Sequence, residues 1–163
     1  MASDRGKGTE WPVLVHSVRT AMAAVVSVLV ARLFRLPATY WAPITTLVIT
    51  QSSLGAAFGV SSQRFIGTVL GALVGGAVAG YFGSHVLVFG ICVFILGLMC
   101  ALVRSGPNAY RFGGVTLAIV VLIPRSGNAW AVAFHRFAEV SVGIGVALLL
   151  AVVWPEREVT PSS

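Results

Sequence analysis

Apolar residues gather in long blocks along this chain, and the polar residues fall at the joints between the blocks. Residues 65–103 contain no Lys, Arg, Asp or Glu. That stretch is too long for one buried core helix and suits two spans of about 20 residues each, the length that crosses bilayer hydrocarbon. The pattern predicts six spans, at roughly 13–35, 40–57, 63–82, 86–103, 111–124 and 130–154. The second opens on the interfacial pair Tyr40-Trp41 and carries Pro43 in its first turn, where a missing N–H does no harm. It is expected to end in a Gly/Ser-rich turn over 55–62. The third has small residues every four positions (Gly67, Gly71, Gly75 and, beyond them, Gly76 and Gly80), and Gly143 takes a similar place on the sixth. Small residues let a neighbouring backbone come close, which is how helices associate where lipid removes the hydrophobic drive. The fifth is short and begins Phe112-Gly113-Gly114, so a partly unwound or tilted element is expected. Because lipid offers no partners to an open backbone, the expected fold class is all-α, a six-helix transmembrane bundle. A polar tail over 1–12, a membrane domain over 13–155 and a second polar tail over 156–163 complete the organisation. No small-residue cleavage site follows a short apolar run near Met1, so the first span is expected to stay in the mature protein.

Two phrases inside the apolar blocks match. Arg64-Phe65 is followed by Gly71, and Arg136-Phe137 by Gly143, at a constant offset of 72 residues. A three-span unit repeated once must insert the second time upside down, so the halves 13–84 and 85–155 are expected to be inverted repeats, an arrangement found in transporters. The offset sets Arg64 near the inner end of the third span and Arg136 near the outer end of the sixth. It also aligns Trp41-Ala42-Pro43 with Gly113-Gly114-Val115 as the irregular members of the two halves.

Composition agrees. Of 163 residues, 57% are hydrophobic and 10% charged, against about a quarter charged in soluble domains. The net charge of +6 comes without a basic run, aromatic-interleaved patch or zinc spacing, so no nucleic-acid partner is expected. The arginines lie along span boundaries instead. Seven basic residues fall on one side and three on the other if the N-terminus is inside, which predicts a multi-pass protein of the cytoplasmic membrane with both termini cytoplasmic. Cys92 and Cys100 are eight apart on one span, too far for a disulfide on a straight helix, and read as packing residues.

The chemistry concentrates in few positions. An intramembrane arginine is expensive and implies a use. Thr46, Thr50 and Ser53 recur at helical spacing on the second span with Thr45, Gln51 and Ser52 beside them. They either line a polar pathway or bond back to their own helix. Arg136 and Glu139 are three apart and can pair on one face, as a structural ion pair or as a substrate or proton site. His135, next to Arg136, is the one histidine placed for proton coupling.

The ordered set Arg19, Tyr40-Trp41-Ala42-Pro43, Gln51, Arg64-Phe65-Ile66-Gly67-Thr68 with Gly71, and Arg136 with Glu139, Gly143 and Pro155 resembles the membrane domain of the fusaric acid resistance or aromatic acid exporter family. The resemblance runs from about Val15 to Pro155. It implies export of aromatic carboxylates, and the related plant aluminium-activated malate transporters are dimeric anion channels built from six-span protomers. One six-span unit stands here without a second or a large cytoplasmic domain, so a homo-oligomer, with a dimer favoured, is expected. A carboxylate in the bilayer needs countercharge and hydrogen-bond donors, which Arg64 and Arg136 beside the hydroxyls of Thr46 and Thr50 and the amide of Gln51 can supply. Trp41, Phe65 and Phe137 are candidate walls for an aromatic ring, and Glu139 tunes Arg136. The expected function is export of an organic anion. A passive anion channel and a non-transporting scaffold subunit are the alternatives. No nucleophile–base set, metal cluster or phosphate-cradling loop stands out, so neither an enzyme nor a cofactor is expected.

Overall fold

The computed structural model describes residues 7–50, 54–82, 85–123 and 128–154. Among them are six helices: α1 (Lys7–Leu33), α2 (Trp41–Thr50), α3 (Leu54–Phe82), α4 (Val86–Leu102), α5 (Pro107–Leu122) and α6 (Ala129–Val153). Many large apolar side chains, among them Leu29, Leu87, Phe94 and Leu149, are exposed, while the interior holds, beside apolar residues such as Ile49, Leu96, Leu117 and Val120, several alanines and threonines, Arg19, Arg64, Arg136 and Glu139. Such an inside-out distribution suits a solvent of hydrocarbon. The 20 residues Leu14–Leu33, and α3 and α6 over 28 and 25 residues, are long and apolar enough to cross a bilayer unaided.

Four expectations need correcting. The first helix reaches back to Lys7, through Gly8 and Pro12, and so takes in part of the stretch expected to be a tail. No turn occurs over 55–62: α3 runs through it, and Gly55 and Gly59 sit at open helix positions where nothing approaches. Arg64 therefore lies about 15 Å into α3 rather than at its end. Segment five is not unwound. Gly113 and Gly114 are helical, and the lack of a side chain at Gly113 serves packing instead. Finally, the described part of α2 is the 10 residues Trp41–Thr50, and the next described residue, Leu54, already belongs to α3, so the expected second span over 40–57 is not one separate element.

The halves are related as the repeated phrases suggest. Exchanging α1–α3 with α4–α6 turns the set of touching helices into itself: α1–α2 becomes α4–α5, α1–α6 becomes α4–α3, α2–α6 becomes α5–α3, α2–α3 becomes α5–α6, and α3–α6 is its own image. The rings of Phe65 and Phe137, equivalent by the 72-residue offset, meet edge to face at 5.4 Å, so the pseudo-two-fold axis passes between them. Next along, Gly76 faces Trp130, which makes α3 and α6 antiparallel and the repeat an inverted one. The first helix of each half also ends alike. Leu36 N–H reaches Ala31 O and Arg35 N–H reaches Arg32 O, as Ser105 N–H reaches Cys100 O and Arg104 N–H reaches Ala101 O. Arg35 and Arg104 carry the positive φ, 52° and 50°, that this closure requires. Those two arginines are 69 apart while Arg64 and Arg136 are 72 apart, so the second half holds three extra residues. They enter at the joint before α5, whose first residue, Pro107, stands 113 − 107 = 6 positions ahead of Gly113, the equivalent of Trp41 at the start of α2.

Candidate functional site

The two long helices bring their arginines to one cavity of about 170 Å³, lined by Trp41, Ile44, Arg64, Thr68, Phe112, Val115, Thr116, Arg136 and Val140. Three lining pairs, Arg64 with Arg136, Ile44 with Thr116 and Thr68 with Val140, are related by the same 72-residue offset, so the cavity straddles the axis. Each arginine is held by the opposite half. The Arg136 guanidinium lies 3.8 Å from the centre of the Trp41 ring on α2, and that of Arg64 lies 4.7 Å from the Phe112 ring on α5. Cation–π contacts shielded from water are worth about 2 kcal/mol or more, which offsets part of the cost of burying the charge.

Polar contacts fix the remaining freedom. Arg64 Nη2 donates to Thr45 Oγ1 at 3.0 Å, and that hydroxyl donates to Trp41 O at 3.1 Å. Arg136 Nη1 donates to Glu139 Oε2 at 3.0 Å, and Glu139 Oε1 accepts the Ala38 N–H at 3.0 Å. Both carboxylate oxygens of Glu139, which is fully buried, are therefore engaged away from the cavity. Arg64 makes no ion pair among the described residues, and Nε of both arginines is buried without an acceptor. Two guanidiniums against one carboxylate leave the site one positive charge in excess.

Close backbone approaches hold the arginines at this depth. A Cβ at Gly67 would stand on Ala109 O and one at Gly71 on Gly113 O, both on α5, while Gly75 meets Val120 and Leu117. On the other side of the axis a Cβ at Gly143 would lie 2.6 Å from Ala42 O. As α3 advances from Gly67 to Gly75, α5 advances from Ala109 to Val120, so these helices run parallel, and α2 with α6 does the same.

Of the residues named from sequence, Trp41, Arg64 and Arg136 come together on the cavity, with Glu139 directly behind Arg136. Thr46 and Thr50 lie off it. Their hydroxyls bond to Ala42 O and Gly143 O, and to Thr46 O, so the polar stripe on α2 is mostly consumed by its own helix. Phe65 faces Phe137 beside the axis rather than lining the cavity, and Gln51 lies outside the described residues. His135 turns its ring to Phe134 and takes no part in the cavity wall. Sequence reasoning passes over Phe112, Thr68 and Thr116, and gives Thr45 no role of its own. Applying the 72-residue offset to Ile44 and Thr68 leads to Thr116 and Val140.

Inverted halves with a charged, aromatic-walled cavity on their axis define a multi-pass membrane protein of transporter architecture. The fusaric acid resistance protein-like family matches residues 23–150, and the chain belongs to that family. It is 32% identical over 150 residues to the inner membrane protein YeeA of Escherichia coli K12, covering 88% of this chain and 42% of that protein. It is 26% identical to a putative arylamide transporter of Mycobacterium tuberculosis H37Rv, over 88% of this chain and 40% of that protein. It is likewise 26% identical to the uncharacterized transporter YdhK of Escherichia coli K12, over 86% and 22%. The chain thus spans about two fifths of the length of the first two relatives. No solved structure matches it. The protein is a multi-pass protein of the inner membrane.

Proposed function

We propose that this protein moves small organic anions across the inner membrane through the cavity on its pseudo-two-fold axis, with both termini cytoplasmic and two such chains forming the working unit. The observation that carries the reading is the pair of symmetry-related guanidiniums facing one cavity with a single carboxylate to balance them. A carboxylate leaving water loses its hydration, and buried N–H donors with excess positive charge replace it. Trp41 and Phe112 supply ring faces for an aromatic substrate, and cavities of roughly 150 Å³ admit one benzene ring. Arylamide, the class in the mycobacterial relatives' name, shares that ring without needing the charge, which makes uncharged aromatic amides the second reading.

Flux of benzoate into liposomes carrying the purified protein tests this. Arg64→Ala and Arg136→Ala should each lower benzoate flux at least tenfold while the protein stays folded and inserted. Wild-type flux from folded variants overturns the anion site. Flux that needs a pH gradient distinguishes a coupled exporter from a passive channel.

A further inference from the structure

The two arginines are symmetry-related, but the charge beside them is not. Glu139 sits three residues beyond Arg136, and the equivalent place after Arg64 is Gly67. In the second half the carboxylate occupies the junction between α6 and the chain entering α2, holding Ala38 N–H and Arg136. In the first half the junction is closed by direct backbone contact, Gly67 against Ala109 and Gly113. Backbone contact alone therefore suffices to join a third helix to its partner, and the carboxylate is not required for that purpose. What it adds is charge: without it the cavity would hold two uncompensated guanidiniums, and with it the excess is one.

From this we infer that Glu139 sets the valence of the transported ion, making the site selective for monoanions over dianions. The inference rests on the anion reading above and deepens it. In a buried site each uncompensated charge counts heavily, because the effective dielectric is far below that of water. A monoanion neutralises the cavity, whereas a dianion leaves it negative by one. The guanidinium of Arg136 already spends Nη1 on Glu139, and in both cavity-lining arginines Nε is buried without an acceptor. Both arginines are more than nine tenths buried. Glu139 itself does not touch the cavity, so it acts on the ion through Arg136 and through its field, as a specificity-determining residue.

The experiment compares benzoate, phthalate and monomethyl phthalate in liposomes at pH 8, where every carboxyl group of the three carries its full charge. Monomethyl phthalate is at least as bulky as phthalate but carries one charge, which separates size from valence. Wild-type protein should carry benzoate and monomethyl phthalate at least tenfold faster than phthalate. Glu139→Gln keeps the shape and an acceptor for Ala38 N–H, and should reduce that preference at least tenfold; Glu139→Asp, which keeps the charge, should retain it. Phthalate moving as fast as monomethyl phthalate in the wild type overturns the inference without any variant. So does an unchanged ratio in a folded, active Glu139→Gln protein. If the wild type carries none of the three anions, the anion reading itself fails, a result distinct from either.

Discussion

At the residue scale, two adjacent glycines on α5 have opposite roles. Gly113 stands where α3 crosses, and a Cβ there would come within 2.8 Å of Gly67 O, while nothing lies within 4 Å of one at Gly114. Gly113→Ala should force the helix backbones apart and lower stability by about 1–3 kcal/mol, as overpacking does. Gly114→Ala should be neutral or raise stability by about 0.5–1 kcal/mol, since alanine is the better helix former. Thermal denaturation in detergent reads both, and equal effects would contradict the packing described. In the sequence this pair reads as a break in the helix. The glycine content is legible; its reason is not, because only the partner helix distinguishes a glycine that bends a backbone from one that admits a neighbour. Arg64, Arg136 and Glu139 are legible for a different reason, since a charge inside an apolar block stands out by contrast with its sequence neighbours alone.

At the scale of elements, the N-terminal half of α2 governs both arginines. Its Trp41 ring carries Arg136, and its Thr45 hydroxyl bridges Arg64 to the Trp41 carbonyl. Thr45→Val preserves shape but leaves Arg64 Nη2 without its acceptor, at a cost of about 1–3 kcal/mol. It should lower benzoate flux by raising KM more than it changes the maximal rate, and Thr45→Ser should restore both. A Thr45→Val protein with wild-type KM would show that α2 does not position Arg64. The six apolar blocks predict six helices, but their lengths are blurred where α2 meets α3, because Gly55, Gly59, Ser61 and Ser62 read as a turn. Continuous helix wins there because each of these residues keeps its backbone bonds within α3, as lipid demands, whereas a turn would leave them open. The threonines on α2 are visible as a polar stripe, and only the packing of α2 against α3 and α6 decides which hydroxyl turns outward.

At the scale of the whole molecule, the inverted repeat is readable from three residues and one offset, yet the pairing of α2 with α6 and α3 with α5 is not. Nothing in a sequence of mostly Ala, Val, Leu and Gly says which small face meets which. The expected homodimer is open to native mass measurement in detergent, with a monomer at all concentrations counting against it. The cross-pairing predicts that the halves, split at the joint following Phe82 and expressed together, assemble into a complex that binds or carries benzoate, whereas either half alone is degraded or aggregates.

Because each half rests its long helix on the short one of the other, the protein cannot be finished as it is made. When the first three helices leave the ribosome, Arg64 has Thr45 but must wait for Phe112, which is synthesised later. A chain whose synthesis stalls before α5 therefore keeps Arg64 among apolar helices without its ring, the costlier state for a cation out of water.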